Sequence, residues 1–291
     1  MSTALHPPPS SQAPAAAAKI VRTLSYDGVA VLTFDRPDSS ANIFDPPALE
    51  ELDAHLAALE AEPSLKGVIL VSAKPRIFIA GADLNAFVRD TSPDALGAIV
   101  DLGHRVFTRL GRLRVPTVAA IHGVCLGGGC ELALACDWRV ASTDKATKIG
   151  LPETQLGILP AWGGSVRLPA LLGLPAALGL ILAGKQLVGA QALKVGLVDE
   201  LAHHEYLMDA ARRLLARGKR PPASRKLVSR APLTAIIAAK ARRDVLAKTR
   251  GHYPAPLKAI EVCTHALGRP LEEGLALEKK AVLELARTPE S

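Results

Sequence analysis

Short apolar stretches rich in β-branched residues alternate along the chain with longer stretches of helical periodicity. VAVLTF (29–34), GVILVSA (67–73) and TVAAIHGV (117–124) predict buried strands, and WRVAS and TKIGLP predict two more. The spacing of apolar positions predicts amphipathic helices over 46–62 and 94–113. Because strands and helices follow each other in this repeating order, we predict an α/β fold with mostly buried strands.

The rest of the chain is predicted to be mainly helical. Leucine- and alanine-rich helices are expected over 165–218, and from about Pro221 the composition becomes wholly helical and basic. The first residues are rich in proline and alanine and contain no charged side chain, which favours disorder. The predicted organisation has three parts: a disordered leader over 1–18, a core over 19–220 and a helical C-terminal subdomain over 221–291.

Composition argues against several classes of protein. The longest uncharged run after the leader, Leu168–Gly184, is interrupted by Pro169 and Pro175, so it predicts two buried helical pieces and no membrane span. Aromatic residues make up only 3% of the chain, which disfavours a stacking surface for single-stranded nucleic acid. The four cysteines lack metal-finger spacing: Cys125, Cys130, Cys136 and Cys263. The small apolar residues around the first three predict packed, reduced thiols of a cytoplasmic protein.

Positive charge is concentrated in one segment. Residues 211–250 contain 13 lysines and arginines against the single Asp244, whereas the net charge of the whole chain is only +7. Such a segment could contact RNA, an anionic partner or a phosphorylated cofactor, or it could form a solvated helix surface. The low aromatic content makes RNA the less favoured partner.

Motifs for several common chemistries are absent from the sequence. There is no GxxxxGK[ST] phosphate loop, and Leu132 stands where the dinucleotide fingerprint needs its third glycine or alanine. The segment around Ser165 lacks the last glycine of a GxSxG elbow, and His203-His204 has no HExxH pattern. NAD chemistry, serine hydrolysis and zinc hydrolysis are therefore not supported, and we predict neither a metal site nor a cofactor.

Two glycine turns each follow a predicted buried strand. In IAGADL the missing side chain of Gly81 lets the chain turn and expose the next backbone N–H groups. LGGGCE turns directly into a helix N-terminus, which has free N–H donors. If the two turns face each other, they form an oxyanion hole in which each donor contributes roughly 3 kcal/mol of transition-state stabilisation.

Two carboxyl groups lie in apolar surroundings. Glu131 stands in the first turn of the helix after the glycine triplet, where the helix dipole favours the ionised form. Glu153 follows Pro152 at the end of an apolar strand, where desolvation favours the protonated form. One ionised and one protonated carboxyl suit the addition or removal of water across a double bond. The alternative is structural: Glu131 caps its helix and Glu153 pairs with an arginine such as Arg167.

At these residues the chain resembles the enoyl-CoA hydratase/isomerase (crotonase) superfamily. The motifs that carry the resemblance are IAGADL, IHGVCLGGGCELALACDWRVAS, LPETQLGILPAWGGSVRLPALLG and LVGAQALKVGLVDEL. Similar segments follow one another in the same order from about residue 20 to 285. The C-terminal GHYPAPLKAIEVCTHA and GLALEKKAVLELARTPES resemble the helices that follow the N-terminal hydratase domain of multifunctional fatty-acid oxidation subunits.

The resemblance implies a fold, an assembly and a binding site. The fold would be a spiral of ββα units with a helical C-terminal subdomain, assembled as a homotrimer or hexamer. The backbone N–H groups of Ala82 and Gly128 would form the oxyanion hole for an acyl-CoA thioester. Backbone groups near Ala41 and Ala80 would line the CoA part of the substrate.

The implied activity is hydration of a 2-enoyl-CoA to a 3-hydroxyacyl-CoA in fatty-acid β-oxidation, with CoA present only as part of the substrate. Glu131 would take the proton of the attacking water, and Glu153 would protonate the α carbon. Family isomerases commonly keep only the second carboxyl, so Δ3-Δ2 enoyl-CoA isomerisation stays open as an alternative. Further alternatives are RNA binding by 211–250, and docking of the C-terminal helices on a separate thiolase or dehydrogenase.

Three positions depart from the family pattern. Asn85 stands where family hydratases often carry lysine, which removes one expected contact with the CoA phosphates; the basic segment 211–250 could replace it. Ala161 and Trp162 stand where the family has a small pair that begins with glycine. The Ala161 N–H could still reach the water, whereas Trp162 would either reshape the acyl pocket or be a core residue.

Overall fold

Two β-sheets carry the fold, and strands of both sheets alternate along the chain. The computed structural model describes residues 18–37, 39–83, 92–221, 232–250 and 252–288. The strands are β1 (Ile20–Leu24), β2 (Val29–Phe34), β3 (Gly67–Ser72), β4 (Ile77–Ile79), β5 (Thr117–Ile121), β6 (Val124–Leu126), β7 (Trp138–Ser142), β8 (Lys148–Gly150), β9 (Gln186–Leu187) and β10 (Glu200–Ala202).

Helices connect these strands and extend beyond them. They are α1 (Pro46–Glu60), α2 (Pro93–Arg112), α3 (Gly128–Ala135), α4 (Gly164–Leu172), α5 (Leu174–Ile181), α6 (Gly189–Val195), α7 (Leu207–Leu215), α8 (Leu233–Thr249), α9 (Pro254–Ala266) and α10 (Leu271–Leu285). Single 3₁₀ turns cover Glu153–Leu156 and His204–Tyr206. Helix α1 begins where the Asp45 side chain accepts the Ala48 N–H and two prolines occupy the first turn.

The strand order reveals a repeating unit. The larger sheet has the order β1-β2-β3-β5-β7-β10, and the smaller sheet has the order β4-β6-β8-β9. Pairs β1–β2 and β8–β9 are antiparallel, and the other pairs are parallel. Each of β3, β5 and β7 is followed by a strand of the smaller sheet and then by a helix. This is the predicted spiral of ββα units, and the predicted α/β class is confirmed.

One predicted strand is wrong because the chain changes sheets within it. The segment 117–124 is divided into β5 of the larger sheet and the start of β6 of the smaller sheet. Gly123 between them has a φ of +63°, and a Cβ there would lie 1.9 Å from the Arg76 carbonyl oxygen. Only glycine permits this turn, which carries the chain towards the second glycine motif.

The sequence predicted that 165–218 would be helical throughout, and this prediction is also wrong in part. The short strands β9 and β10 interrupt it and add one edge to each sheet. Two or three residues are too few to show an alternating pattern, so leucine and alanine content dominated the prediction. The uncharged run 168–184 was interpreted correctly: it contributes to α4 and α5, which Gly173 separates.

Both sheets and the described helices other than α7 share one large apolar core, and α7 packs against a second apolar cluster on the larger sheet. Buried side chains of α1 and α2 belong to the same cluster as Ala259, Cys263 and Val282 of the last two helices. The four cysteines are free and buried, as predicted for the first three. No helix among the described residues has the length and apolar character needed to cross a membrane.

Two predicted boundaries stay predictions. The leader 1–18 lies almost entirely outside the described residues, and 222–231 also lies outside them. The proposed division near residue 221 separates α8, α9 and α10 from the core by sequence. In space, however, α9 and α10 pack against the same apolar cluster as the strands, so the C-terminal helices contribute to the interior beneath the site.

Candidate active site

The first glycine turn lies at the end of β4. Gly81 has a φ of +120°, and Ala82 pairs with Phe44 in an isolated parallel bridge. In this bridge the Phe44 N–H donates to the Gly81 carbonyl at 2.9 Å, and the Asp83 N–H donates to the Phe44 carbonyl at 2.8 Å. Because successive N–H groups of an extended chain point to opposite sides, the Ala82 N–H points away from Phe44.

The second glycine turn joins β6 to α3. Gly127 has a φ of +52°, and its N–H donates to the Gly150 carbonyl at 3.0 Å. A Cβ on Gly127 would lie 3.1 Å from Glu153 Oε1 and 3.6 Å from the Gly81 Cα. The turn therefore passes directly against the first turn and against Glu153. Helix α3 begins at Gly128, whose N–H lies in the first helical turn and has no acceptor within the helix.

A cavity of about 130 Å³ lies where the two turns meet. Its wall includes five predicted site residues, namely Ala80, Ala82, Gly128, Glu131 and Glu153. The rest of the wall is mostly apolar: Leu126, Pro152, Leu156, Ile158, Leu159, Ala161 and Trp162, with Gly81 and Gly127. One water needs roughly 10–15 Å³ by this measure. The cavity therefore has room for several waters or for a short apolar chain with one water.

One predicted contact position lies apart from this cavity. Ala41 is not among the residues that line it, and its N–H donates to Ser39 Oγ at 3.1 Å. The next residue, Asn42, accepts the Ala80 N–H at 2.9 Å, so this loop lies against the cavity wall. Contact between Ala41 and CoA stays a prediction. Asn85 lies outside the described residues.

The carboxyl group of Glu131 is held by a loop distant in sequence. Its side chain is 2% exposed, and Oε1 accepts the N–H groups of Trp162 and Gly164 at 2.8 and 2.7 Å. Burial raises the pKa of Glu131 well above its usual value, and the charges of Glu153 and Glu278 raise it further. The two N–H donors lower the pKa, but their effect is smaller. The sequence had predicted that the helix dipole favours ionisation here, but burial outweighs the dipole.

Glu153 is the less satisfied of the two carboxyl groups. Burial raises the pKa of Glu153 to about 8. Its Oε2 is buried and has no hydrogen-bond partner among the described residues. The structural alternative, a pair with Arg167, is wrong because Arg167 donates to the Trp162 carbonyl at 2.9 Å instead. A buried carboxyl with a raised pKa and an open oxygen can hold and deliver a proton.

Trp162 is both a core residue and part of the cavity wall. It is 1% exposed and packs edge-to-face against Phe44 and Phe107, with ring centroids 5.9 and 5.7 Å apart. Its ring also lies over Gly128 and over Gly103 of α2. The sequence left two interpretations of Trp162 open, a core residue or a residue that reshapes the pocket, and the structure combines them. The ring fills the core and also forms one side of the cavity.

A pair of glycine substitutions in α2 tests this packing. A Cβ on Gly103 would lie 2.2 Å from Trp162 Cδ1, whereas a Cβ on Gly97 would meet nothing nearer than Lys279 Cε at 3.6 Å. Alanine in a helix normally stabilises by roughly 0.5–1 kcal/mol over glycine. We expect Gly97→Ala to raise the melting temperature and Gly103→Ala to lower it, as measured by thermal unfolding. Equal shifts in the two variants would contradict the packing.

Sequence reasoning missed a further buried carboxyl group, which lies next to the loop that holds Glu131. Glu278 of α10 is 0% exposed; it accepts the Gly163 and Ser165 N–H groups at 2.6 and 3.0 Å. The His104 Nε2 atom of α2 lies 3.0 Å from its Oε1. A signal was present: Glu278 stands four residues after Gly274 and four before Val282, both on the buried face of α10. An ionisable residue in an apolar stripe indicates a special environment.

Comparison with known proteins now supplies the family. Residues 25–250 match the family described as Enoyl-CoA hydratase/isomerase. The chain belongs to this family. This member of the enoyl-CoA hydratase/isomerase family is 41% identical over 272 residues to the protein named fatty acid oxidation complex subunit alpha from Shewanella amazonensis. It is 39% identical over 272 residues to the protein of the same name from Shewanella frigidimarina. These matches cover 91% of this chain but only 38% of either relative.

Solved structures of the enoyl-CoA hydratase/isomerase family share the fold. An enoyl-CoA hydratase from Bacillus anthracis has a TM-score of 0.64 at 28% identity, over 91% of this chain and 89% of that one. The human mitochondrial delta3-delta2-enoyl-CoA isomerase has a TM-score of 0.65 at 28% identity, over 89% of this chain and 96% of that one. Both activities therefore occur among similar structures, and the choice between them depends on the site.

Proposed function

We propose that this chain is an enoyl-CoA hydratase, which adds water to a trans-2-enoyl-CoA to give a 3-hydroxyacyl-CoA in fatty-acid β-oxidation. The observation that carries the proposal is the convergence of Glu131, Glu153 and two glycine turns on one cavity. An isomerase needs one proton-transferring carboxyl, whereas addition of water benefits from two. The names of the similar fatty-acid oxidation subunits agree with this proposal.

In the proposed mechanism the two turns polarise the substrate. The thioester oxygen accepts hydrogen bonds from the N–H groups of Ala82 and Gly128. Negative charge moves onto this oxygen as the enolate forms, and each fixed donor contributes roughly 3 kcal/mol to its stabilisation. The cavity wall is mostly apolar, so these hydrogen bonds act in a low effective dielectric constant, where they are stronger than in water.

The carboxyl groups divide the proton transfers between them. Ionised Glu131 takes one proton of a bound water while the water oxygen forms a bond to the β carbon. Protonated Glu153 gives its proton to the α carbon, and exchange of protons with solvent restores both groups. The charge of Glu153 is one cause of the raised pKa of Glu131, so a proton on Glu153 favours ionisation of Glu131, whose anion the two loop N–H groups also stabilise. The open Oε2 of Glu153 favours the acid there. Because electrons are not exchanged with another molecule, CoA is needed only as part of the substrate.

A direct assay tests the proposed function. Purified protein is mixed with 2-enoyl-CoA esters of short, medium and long chain length, and loss of the conjugated thioester absorbance is followed. We expect hydration with a rate that is steady at neutral pH and falls above pH about 8, because Glu153 loses its proton there. Absence of hydration with every ester would reject the proposal.

Isomerisation of a Δ3-enoyl-CoA to a Δ2-enoyl-CoA is a second candidate. It is favoured by the structural similarity to the human delta3-delta2-enoyl-CoA isomerase. The same oxyanion hole and Glu153 would serve it, since a double-bond shift removes one proton and returns one at another carbon. Glu131 has no necessary part in that reaction, so its substitution separates the two candidates.

The remaining proposals concern binding and assembly. We propose acyl-CoA as the substrate, cytoplasmic location, and a homotrimer or hexamer that light scattering can measure. A separate thiolase or dehydrogenase is the proposed partner of the C-terminal helices. RNA binding is less favoured, because several basic groups of 211–250 already contact acidic side chains: Arg212 with Asp27, Arg213 with Glu200, and Lys219 with Asp137.

A further inference from the structure

Loop 162–165 lies between two buried carboxyl groups. The first and third N–H groups of the loop donate to Glu131 Oε1, at 2.8 and 2.7 Å. The second and fourth N–H groups donate to the two oxygens of Glu278, at 2.6 and 3.0 Å. Four consecutive peptide groups therefore alternate between the two carboxyl groups: two bind Glu131 on one side of the loop, and two bind Glu278 on the other.

Glu278 is enclosed away from the cavity. Its side chain is 0% exposed, and it is not among the residues that line the cavity. Burial of a carboxyl group costs free energy unless hydrogen bonds compensate, and Glu278 has three such partners: the two peptide groups and His104 Nε2 of α2. The C-terminal helix α10 is thus joined by hydrogen bonds to the loop that holds the carboxyl group of Glu131.

We infer that Glu278 is a positioning residue, which fixes the carboxyl group of Glu131 at the cavity through the peptide groups of loop 162–165. The inference rests on the proposed hydratase function, because Glu131 is the group positioned. The loop peptides cannot rotate away from Glu131 without breaking their bonds to Glu278. A displacement of about 1 Å in a reacting group is enough to slow a reaction roughly 100-fold.

The test replaces Glu278 by glutamine. An amide has one accepting oxygen and one donating nitrogen, so in Glu278→Gln the new NH₂ group faces a loop N–H, donor against donor. The loop then shifts and Glu131 loses its fixed position. We expect kcat for hydration to fall roughly 100-fold, while KM changes less than about threefold, because Glu278 does not line the cavity and, among the described residues, makes no hydrogen bond to either glycine turn.

The matched control lies on the same helix. Glu273 has a side chain that is 55% exposed, and among the described residues its ion-pair partner is Arg269 on the surface. Glu273→Gln removes the same charge from α10 without touching loop 162–165, and we expect wild-type kcat and KM. Equal losses in both variants would overturn the inference, since they would reflect the charge of the helix and not the position of Glu131.

The pH profile distinguishes positioning from a general loss of structure. The groups that face Glu278 come from several elements: His104, Glu131, Glu153, Arg167 and Cys263. The charge of Glu278 contributes to the raised pKa of Glu153. In Glu278→Gln we therefore expect the alkaline fall in hydration rate to begin at lower pH than in the wild type.

A second variant tests the positioning role of Glu278 if Glu278→Gln does not fold. His104→Gln keeps Glu278 and its loop bonds but replaces the partner from α2; we expect kcat to fall by less than in Glu278→Gln, with KM kept. Wild-type kcat in whichever variant folds overturns the inference while the proposed hydratase function stands. A wild-type protein without hydration activity instead rejects the proposed function itself.

Discussion

Substitution of Glu153 by glutamine is expected to slow hydration of a short enoyl-CoA by about 10³-fold or more, and at the same time to leave the fold intact. The glutamine side chain occupies the same space but has no proton to deliver to the α carbon. Because the open Oε2 of Glu153 faces no protein partner, no hydrogen bond within the described residues is lost there. The measurement is the spectrophotometric hydration rate under saturating substrate.

Stability provides an independent check on the same variant. The pKa of Glu153 rises from 4.5 to about 8 on folding. Between these pH values the folded protein keeps a proton that the unfolded chain releases, so stability is lost as pH rises through this range. Glu153→Gln removes this loss. At pH 8 we expect the variant to melt at the same temperature as the wild type or higher.

A surface substitution serves as the control for both measurements. Glu205 is exposed in the second 3₁₀ turn, and Glu205→Gln should leave the hydration rate unchanged. If Glu153→Gln kept a nearly wild-type rate, Glu153 would have no part in proton transfer. If it were inactive but melted well below the wild type at pH 8, its inactivity would reflect loss of structure.

The sequence predicted the parts of the fold whose pattern is local. Strands β2 and β3 and helices α1 and α2 appear within two residues of their predicted limits, because each is long enough to show its period. The three-residue strands of the smaller sheet carry no such pattern. Gly123 illustrates the limit: its turn is required by a carbonyl from Arg76, a contact that only the folded chain brings together.

The candidate site was predictable to a similar degree. Glycine turns after strands and two carboxyl groups in apolar segments pointed to the two turns, Glu131 and Glu153, and the family resemblance implied Ala82 and Gly128 as the N–H donors; these residues line one cavity. What the sequence could not supply is how the carboxyl groups are held. Glu131 takes its N–H donors from residues 31 and 33 positions later, and Glu278 lies 115 positions from the first loop peptide that it binds. No local pattern encodes such distances.

The second large effect is expected for Glu131→Gln. The glutamine oxygen can still accept the two N–H groups of loop 162–165 that Oε1 accepts now, so the loop should stay in place. An amide cannot take a proton from water, however, and we expect hydration to fall by about 10³-fold. Glu153 remains, so any Δ3-Δ2 isomerisation by the wild type should persist within about tenfold in the variant.

Measuring both reactions on both variants distinguishes the two candidate functions. If hydration is the main activity, the wild type hydrates rapidly, Glu131→Gln loses hydration selectively, and Glu153→Gln loses hydration and isomerisation together. If isomerisation is the main activity, the wild type hydrates poorly and Glu131→Gln isomerises almost as fast as the wild type. A Glu131→Gln protein that hydrates at the wild-type rate contradicts the two-carboxyl mechanism. Water would then be activated without the carboxyl group of Glu131, which the N–H groups of Trp162 and Gly164 hold at this cavity.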